Sequence, residues 1–371
     1  MAARFVLRTE PFGALLYDRR CRSARALTST EAAQFLSPNA DTEHIHSPAP
    51  EAFGLSAPTA VHLVITRRCQ LNCSHCLNES GPAIHDEPKY SVVVRWLREL
   101  SSLGVFEVII TGGEPLCYGG LSLVLQVARD LGFTVLLNTN LVCSQRRLDE
   151  LIHSGVALIR TSLDGLKENN DALRGAGTFD RTVASIRYLV ARGQAVRVNV
   201  TLARRNIQDI TGIVSLADEL GCDVKVNPLI CIGRAARLSD QCLTREESAA
   251  VAEQICVHQR IKTIAVHVQV MSTAMFASCA DVRRHFCYRV TDCGIRCTQV
   301  TIDSDGKAYG VGRLTDIGPR EFLGSAYTSL LPELWRLAQV HAEQMLCPDC
   351  RSAGPLRLLC EDFTVDASEN S

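Results

Sequence analysis

Six apolar segments of strand length alternate with longer amphipathic segments between residues 61 and 228. A glycine follows each amphipathic segment at nearly the same place, as glycines do where helices end; these are Gly104, Gly132, Gly155, Gly193 and Gly221. Strands and helices that alternate in this way form a parallel sheet with right-handed crossovers. The pattern predicts an α/β fold built on an open, partial (β/α)6 TIM-like barrel.

The predicted strands span residues 61–66, 106–111, 133–138, 156–163, 195–202 and 223–228. The predicted helices lie near residues 90–103, 119–131, 145–154, 178–192 and 207–220. In folds of this kind the chemistry gathers at the carboxyl ends of the strands. We therefore expect the functional residues to follow these segments.

A loop with three closely spaced cysteines, Cys69, Cys73 and Cys76, follows the first predicted strand. Three thiolates are one short of the four that a [4Fe–4S] cube ordinarily takes from protein, so one iron would stay open for another ligand. The alternatives are a zinc site and a chance grouping. Zinc would require a fourth Cys or His nearby, and His75 lies between two of the cysteines on a tight loop.

The CxxxCxxC spacing of this loop resembles the signature of the radical S-adenosylmethionine (radical SAM) enzymes. The resemblance implies that the amino and carboxylate groups of SAM chelate the open iron. It also implies that electron transfer cleaves SAM to methionine and a 5′-deoxyadenosyl radical, which removes hydrogen from an unactivated C–H bond. The catalytic residue is unknown; Tyr288, Tyr309 and Cys117 are either hydrogen donors to a substrate radical or packing residues.

The second predicted strand ends in a Gly-Gly-Glu-Pro turn, formed by Gly112, Gly113, Glu114 and Pro115. The turn resembles the family's GGEP loop, which hydrogen-bonds the SAM amino group. Glycines allow close backbone approach, and a carboxylate pairs with an ammonium. By the same resemblance, other polar residues contact the SAM ribose and carboxylate: Asn140, Ser162, Asp164, Arg174 and Asn199. Each could instead cap the following helix.

Residues 1–57 predict a β-rich segment with two short strands, a helix start at Thr28, and a linker over 37–58. The segment resembles the recognition elements that accompany many peptide-modifying radical SAM enzymes and capture a leader peptide by strand addition. The alternative is an extension that caps the barrel floor.

The barrel itself is expected over 58–235. A bridge over 236–278 is expected to hold a helix that begins at Thr244 and a strand over 261–270.

The last predicted domain, 279–371, contains a hairpin over 300–309 and a second group of cysteines. The group resembles the SPASM extension, which carries auxiliary clusters, and comprises Cys287, Cys293, Cys297, Cys347, Cys350 and Cys360. Two cysteines of the full pattern are replaced by Val311 and Leu356. The incomplete set implies one auxiliary [4Fe–4S] cluster, as in the shortened twitch relatives. A structural zinc and a metal-free extension remain as alternatives.

The bulk composition bounds the function. The chain has 371 residues, 17 cysteines and a formal net charge of −1, which gives no electrostatic case for nucleic acid or an anionic membrane. The absence of a signal peptide and of a long apolar run predicts a cytoplasmic protein with reduced thiols.

The resemblance favours an enzyme that oxidatively modifies a ribosomally made peptide bearing a leader, by crosslinking, epimerisation or related C–H chemistry. A flavodoxin or ferredoxin is expected as the electron donor. The alternatives are a radical SAM enzyme acting on a small molecule, such as a tetrapyrrole or a sugar, and a scaffold that retains a cluster without catalysis.

Overall fold

The fold is given by a computed structural model. It describes residues 3–10, 13–36, 41–45, 55–82, 87–244, 246–248, 250–251, 254, 266–268, 299–310 and 322–337. No helix among these residues has the length and apolar character needed to span a membrane. The second cysteine group and Tyr288 lie outside the described residues.

The amino-terminal part forms a four-stranded sheet. Its strands are β1 (Phe5–Glu10), β2 (Gly13–Asp18), β3 (Ser23–Leu27) and β4 (Thr42–Ile45). They lie in the order β3-β2-β1-β4, with β4 parallel to β1. The interpretation of residues 37–58 as a linker is therefore wrong at β4, and β3 adds a third strand to the predicted two. Helix α1 (Ser29–Ala33) starts where predicted, because Thr28 and Glu31 cap it reciprocally.

The six predicted barrel strands are confirmed: β5 (Ala60–Val64), β6 (Glu107–Thr111), β7 (Thr134–Asn138), β8 (Leu158–Ser162), β9 (Val196–Leu202) and β10 (Asp223–Pro228). They pair in parallel and in chain order. The helices between them are α2 (Tyr90–Ser102), α3 (Leu121–Asp130), α4 (Gln145–His153), α5 (Lys167–Arg174), α6 (Thr178–Val190) and α7 (Ile210–Leu220). Helix α5 was not predicted.

Further strands extend the sheet at both edges. Strand β11 (Val266–Val268) runs parallel to β10, and β12 (Gln299–Ile302) runs parallel to β5. Strands β13 (Lys307–Tyr309) and β14 (Phe322–Ser325) continue from β12 in antiparallel pairs, so the predicted hairpin is confirmed. Among the described residues no pairing joins β11 to β14, and the sheet is open there. The cap of the predicted bridge helix is also present, since Thr244 and Glu247 bond reciprocally.

The faces of the sheet differ in chemistry, as β9 illustrates. Its valines and Leu202 are buried in the core, and the residues between them, including Arg197 and Asn199, point to the opposite face. That opposite face has a small apolar cluster of Ala60, Ile109, Leu136 and Leu158. Polar side chains at the carboxyl ends of the strands therefore face an interior that the helices do not fill.

A buried ion pair fixes the amino-terminal sheet to the barrel. The guanidinium of Arg8 lies 2.7 Å from the carboxylate of Glu10, and both side chains are fully buried. Arg8 also donates to the carbonyl oxygens of Ala57 and Gly104, and Glu10 accepts from the Ser56 amide. Every charge in this pair thus has partners, which a buried ion pair requires.

Tyr17 extends the same interface to the amino-terminal end of the barrel strands. Its hydroxyl donates to Glu107, the first residue of β6, over 2.7 Å, and its ring stacks on Phe106 with centroids 4.9 Å apart. Burial raises the pKa of Glu107 above its usual range. The sheet therefore closes part of the barrel floor.

The chain's two tryptophans join the carboxyl-terminal strands to the rest of the fold. The indole N–H of Trp96, on α2, donates to the carbonyl of Ala326, directly after β14, over 3.0 Å. The indole N–H of Trp335 donates to the carbonyl of Leu55, which precedes β5, over 2.9 Å. Both rings are buried, so both contacts are part of the core.

Candidate functional site

The three-cysteine loop follows β5 at the carboxyl end of the sheet, as predicted. Cys69 and Cys73 are buried, Cys76 is half-buried, and all three thiols are free. The amide of Cys69 donates to the carbonyl of Gly81 over 2.8 Å, which closes the loop on itself. Burial raises the pKa of the Cys69 thiol to about 12, and a bound metal or cluster would favour its thiolate form.

Two distant segments clamp this loop. The amide of Ser74 donates to the carbonyl of Leu173 near the end of α5. Arg234 donates from Nε to the Cys73 carbonyl and from Nη2 to the Ser80 carbonyl, each over 2.7 Å. A side chain at Gly233 would come within 2.5 Å of the Leu77 carbonyl oxygen. Arg234 was not predicted as a site residue, because nothing in its local sequence marks an arginine that bonds a loop so far away in the chain.

The predicted Gly-Gly-Glu-Pro turn packs directly on the start of the cysteine loop. A Cβ at Gly112 would lie 2.4 Å from the Thr66 carbonyl oxygen, and one at Gly113 would lie 2.5 Å from that of Arg68. The Gly113 amide donates to Thr66 and the Glu114 amide to Arg68. The glycines are therefore needed because two backbones touch here.

Glu114 joins the ends of β6 and β7. Its fully buried carboxylate accepts from the Leu116 amide, the Thr139 hydroxyl and the Asn140 amide over 2.7–3.0 Å. Burial raises the pKa of Glu114 although these bonds oppose the rise. Pro115 opens a short 3₁₀ helix, Pro115–Cys117. The contact of Glu114 with the SAM ammonium stays a prediction.

Asn140 lies beside the cysteine loop. Its Oδ1 accepts from the Val142 amide over 2.9 Å and from the Gln70 side chain over 3.0 Å. Its Nδ2 lies 3.7 Å from the sulfur of Cys69. Cys117 is close by, since its sulfur lies 3.7 Å from Gln70 Oε1.

Asp164, at the end of β8, is fully buried and bonded on both carboxylate oxygens. Oδ2 accepts from Arg174 over 2.5 Å and from His75 Nε2 over 3.0 Å, and Oδ1 accepts from the Thr201 amide over 2.6 Å. Burial acts to raise the pKa of Asp164, but the Arg174 charge and the His75 bond outweigh it and hold that pKa below its usual range. Nδ1 of His75 is buried without a partner in the described part of the chain.

Ser162 and Asn199 stand next to each other on β8 and β9, where they are paired in register. Both are half-buried, and Asn199 Oδ1 has no hydrogen-bond partner among the described residues. Of the other predicted residues, Tyr309 packs its ring against Phe322, with centroids 6.1 Å apart. Nearly all of the predicted site residues that the structure describes thus lie at the carboxyl end of the sheet.

The three free thiols of the cysteine loop fit an iron–sulfur cluster. Among the described residues, no group of three or more His, Cys, Asp or Glu side chains has an arrangement that could hold a single metal ion. In a [4Fe–4S] cluster each thiolate binds a different iron, so the sulfurs need not converge on one point. Three free thiols on one clamped loop, with Arg174 near Cys73, suit an anionic cluster.

Comparison with known proteins finds relatives named as a heme synthase and as a maturase. Residues 63–217 match the Radical SAM superfamily. The AdoMet-dependent heme synthase of Methanosarcina barkeri is 33% identical over 175 residues, which are 45% of this chain and 49% of that protein. The mycofactocin maturase MftC of Mycobacterium tuberculosis is 33% identical over 184 residues, 49% of this chain and 47% of that protein. The chain therefore spans about half the length of these relatives.

Solved structures match more of the chain at lower identity. Streptococcus suis SuiB, in a crystal structure with precursor peptide SuiA, superposes with a TM-score of 0.72 at 16% identity, covering 97% of this chain and 94% of that one. The enzyme anSMEcpe with bound AdoMet gives 0.61 at 14% identity, covering 84% and 92%. These matches establish the fold.

Proposed function

We propose that this chain, whose residues 63–217 match the Radical SAM superfamily, is an enzyme that cleaves SAM reductively and oxidises a ribosomally made peptide. The observation that supports SAM cleavage is the clamped three-cysteine loop at the carboxyl end of β5. Cys69, Cys73 and Cys76 would hold a [4Fe–4S] cluster there. Such a cluster supplies an electron and an open iron at which SAM binds.

The surrounding residues divide into those that hold the loop and those that face the ligand. Arg234 and Leu173 keep the loop in place, and Gly112 and Gly113 let the neighbouring turn approach it. Ser162 and Asn199 are the proposed SAM contacts, since the unpartnered Asn199 oxygen can accept a bond from a ribose hydroxyl. We propose that Pro115 and Arg174 also contact SAM and complete its binding pocket.

We also propose one auxiliary [4Fe–4S] cluster and a flavodoxin or ferredoxin as donor. The support for the cluster is the spacing of the second cysteine group, and four of its six members would be ligands. The proposed domains over 1–57, 58–235, 236–278 and 279–371 place that group in its own unit.

The observation that supports a peptide as the substrate is the amino-terminal sheet. The buried Arg8–Glu10 pair attaches it to the barrel, and among the described residues β3 lies at the edge of the sheet with β2 as its one neighbour. An edge strand offers unpaired backbone groups to an extended peptide. The name of one relative concerns a peptide: the PqqA peptide cyclase of Ruegeria pomeroyi is 30% identical over 217 residues.

A tetrapyrrole is the second candidate substrate, and a specific relative favours it. The AdoMet-dependent heme synthase of Nitratidesulfovibrio vulgaris is 25% identical over 299 residues, which are 74% of this chain and 78% of that protein. Its match extends further along both chains than that of MftC.

Cluster content and SAM cleavage test the reaction. Anaerobically reconstituted protein is expected to hold about eight irons, and a Cys69→Ala/Cys73→Ala/Cys76→Ala variant about four. With dithionite and SAM, the wild type should release methionine and 5′-deoxyadenosine, and the variant should not. Cys21→Ala, which changes an exposed thiol, is the control and should match the wild type. A wild type that holds iron but leaves SAM intact would support a non-catalytic scaffold.

Labelled substrates test the substrate class. The probes are deuterated PqqA peptide, deuterated mycofactocin precursor peptide and deuterated iron coproporphyrin III. Deuterium in 5′-deoxyadenosine, with a peptide lighter by two hydrogens, would support the peptide assignment. Deuterium from the porphyrin alone would replace it with the tetrapyrrole assignment.

A further inference from the structure

The amide orientation of Asn140 is fixed by the donors around it. Its Oδ1 accepts from the Val142 amide and from Gln70 Nε2, so that atom is the oxygen and not the nitrogen. Nδ2 then faces the other way, 3.7 Å from Cys69 Sγ and 3.4 Å from Gln70 Oε1. An N–H group is therefore aimed at the sulfur of a proposed cluster ligand.

A further contact holds Asn140 in this position. Its backbone amide donates to the fully buried Glu114 carboxylate over 2.7 Å. Asn140 is only 7% exposed. A side chain fastened at both its backbone and its amide oxygen cannot turn freely, so the N–H remains near the sulfur.

The sulfur environment differs between two of the cysteines. Cys69 Sγ receives the Leu71 amide over 3.4 Å in addition to the Asn140 side chain, and it also contacts Gln70 Oε1 over 3.8 Å. The contact of Cys73 Sγ is instead a carbonyl oxygen, that of Arg174, at 4.0 Å. A carbonyl oxygen has no hydrogen to give to a thiolate, so of these two ligands Cys69 is the one whose sulfur faces N–H donors.

We propose that Asn140 is a positioning residue that acts on the cluster through Cys69 and raises its reduction potential. Reduction adds negative charge to a cluster, and hydrogen bonds to its sulfurs stabilise that charge. The inference rests on the proposed function, because it requires the cluster on the three-cysteine loop. It gives Asn140 a role different from the SAM contact that the sequence predicts.

Potentiometric titration followed by electron paramagnetic resonance (EPR) tests the inference. The relevant signal is the one that SAM addition perturbs, which separates it from an auxiliary cluster. Asn140→Asp keeps Oδ1 for Val142 and Gln70 but removes the N–H donor. Reduction of its cluster should be at least tenfold less favourable, a shift of 59 mV or more to negative potential for one electron. Asn140→Leu, which adds no charge, should shift in the same direction.

Thr182→Val is the matched control. It removes a hydrogen bond to the carbonyl of the same asparagine but leaves the amide beside the sulfur. Its potential should equal that of the wild type. Equal potentials in the wild type and both Asn140 variants would overturn the inference, as would an equal shift in Thr182→Val.

A measurement on the wild type covers the case in which the Asn140 variants lose the cluster. Protein labelled with ¹⁵N only in asparagine should show a ¹⁵N coupling to the reduced cluster in hyperfine EPR spectra. Absence of that coupling would overturn the inference while normal SAM cleavage left the proposed function intact. A wild type that binds no iron at the three-cysteine loop would overturn both.

Discussion

The imidazole Nε2 of His75 lies 3.0 Å from Oδ2 of Asp164. His75 belongs to the cysteine loop after β5, and Asp164 lies two residues after the end of β8, so the contact crosses the carboxyl end of the sheet. Asp164 also binds Arg174 and the Thr201 amide. One buried carboxylate therefore ties the loop to β8, α5 and β9 together.

Replacing Asp164 tests how much this connection contributes to stability. Asp164→Asn leaves the Arg174 guanidinium, only 13% exposed, without its anion, and breaking a buried pair costs about 3–5 kcal/mol. Urea unfolding should show that loss. Asp180→Asn is the control, because its partner Lys167 and Asp180 itself are largely exposed; it should cost at most about 1 kcal/mol.

The stabilisation by Asp164 should depend on pH. Its pKa is lower in the folded state than the value of about 3.9 in an unfolded chain. The contribution is therefore fully present above about pH 4 and is lost as pH falls through the lower folded pKa. Unfolding of iron-free wild type and Asp164→Asn should differ by a constant amount from pH 7 to about pH 5 and progressively less in more acidic solution. A difference that grows on acidification would contradict the assignment.

The close approach at Gly113 predicts a steric effect. In Gly113→Ala the new methyl would lie 2.5 Å from the Arg68 carbonyl oxygen and 2.7 Å from that of Arg67. The overlap should cost about 1–3 kcal/mol and lower the iron bound per chain, measured by metal analysis. Gly119→Ala, with nothing within 4 Å of its methyl, should bind iron normally and be as stable as the wild type or slightly more so.

Arg234 should support cluster binding without touching the cluster. Arg234→Gln removes charged donors from the Cys73 and Ser80 carbonyls, and such bonds contribute about 1.5–3 kcal/mol each. We expect less iron per chain and faster proteolysis within the cysteine loop. Arg237→Gln changes an exposed arginine of Gly233–Gln241, the 3₁₀ helix that also contains Arg234, and should stay within about 0.5 kcal/mol of the wild type. Identical iron content in both variants would remove Arg234 from the clamp.

Arg8 should be essential for attachment of the amino-terminal sheet. Arg8→Met leaves Glu10 buried without a cation, at a cost of about 3–5 kcal/mol. Hydrogen exchange should then show β1 and β2 opening before the barrel strands. Arg4→Met, which breaks a partly exposed pair with Asp18, should cost about 1 kcal/mol or less. Equal protection in the two variants would argue against the anchoring role.

The sequence predicted the barrel strands because each is rich in β-branched and aliphatic residues, and a glycine precedes five of the six. The strand β4 carries Thr42, Glu43 and His44, so neither its composition nor its periodicity marks a strand. It forms through pairing with β1. Helix α5 was missed for a similar reason, since Asn169, Asn170 and Asp171 favour turns over helix interiors.

The candidate site was predictable where one short motif carried it and less so where distant segments meet. The three cysteines and the Gly-Gly-Glu-Pro turn are local patterns. The bonds of Asp164 to His75 and of Arg234 to Cys73 join residues far apart in the chain. Such contacts are decided by the packing of whole elements, so no window of sequence contains them.

The positions of Trp96 and Trp335 turn the protein's own ultraviolet emission into a gauge of domain attachment. Each indole is buried, and its N–H donates to a backbone carbonyl far away in the chain. Release of the carboxyl-terminal strands would expose both rings to water while leaving the barrel strands paired. A red shift that precedes the loss of secondary structure would therefore report detachment of that region, with no label added.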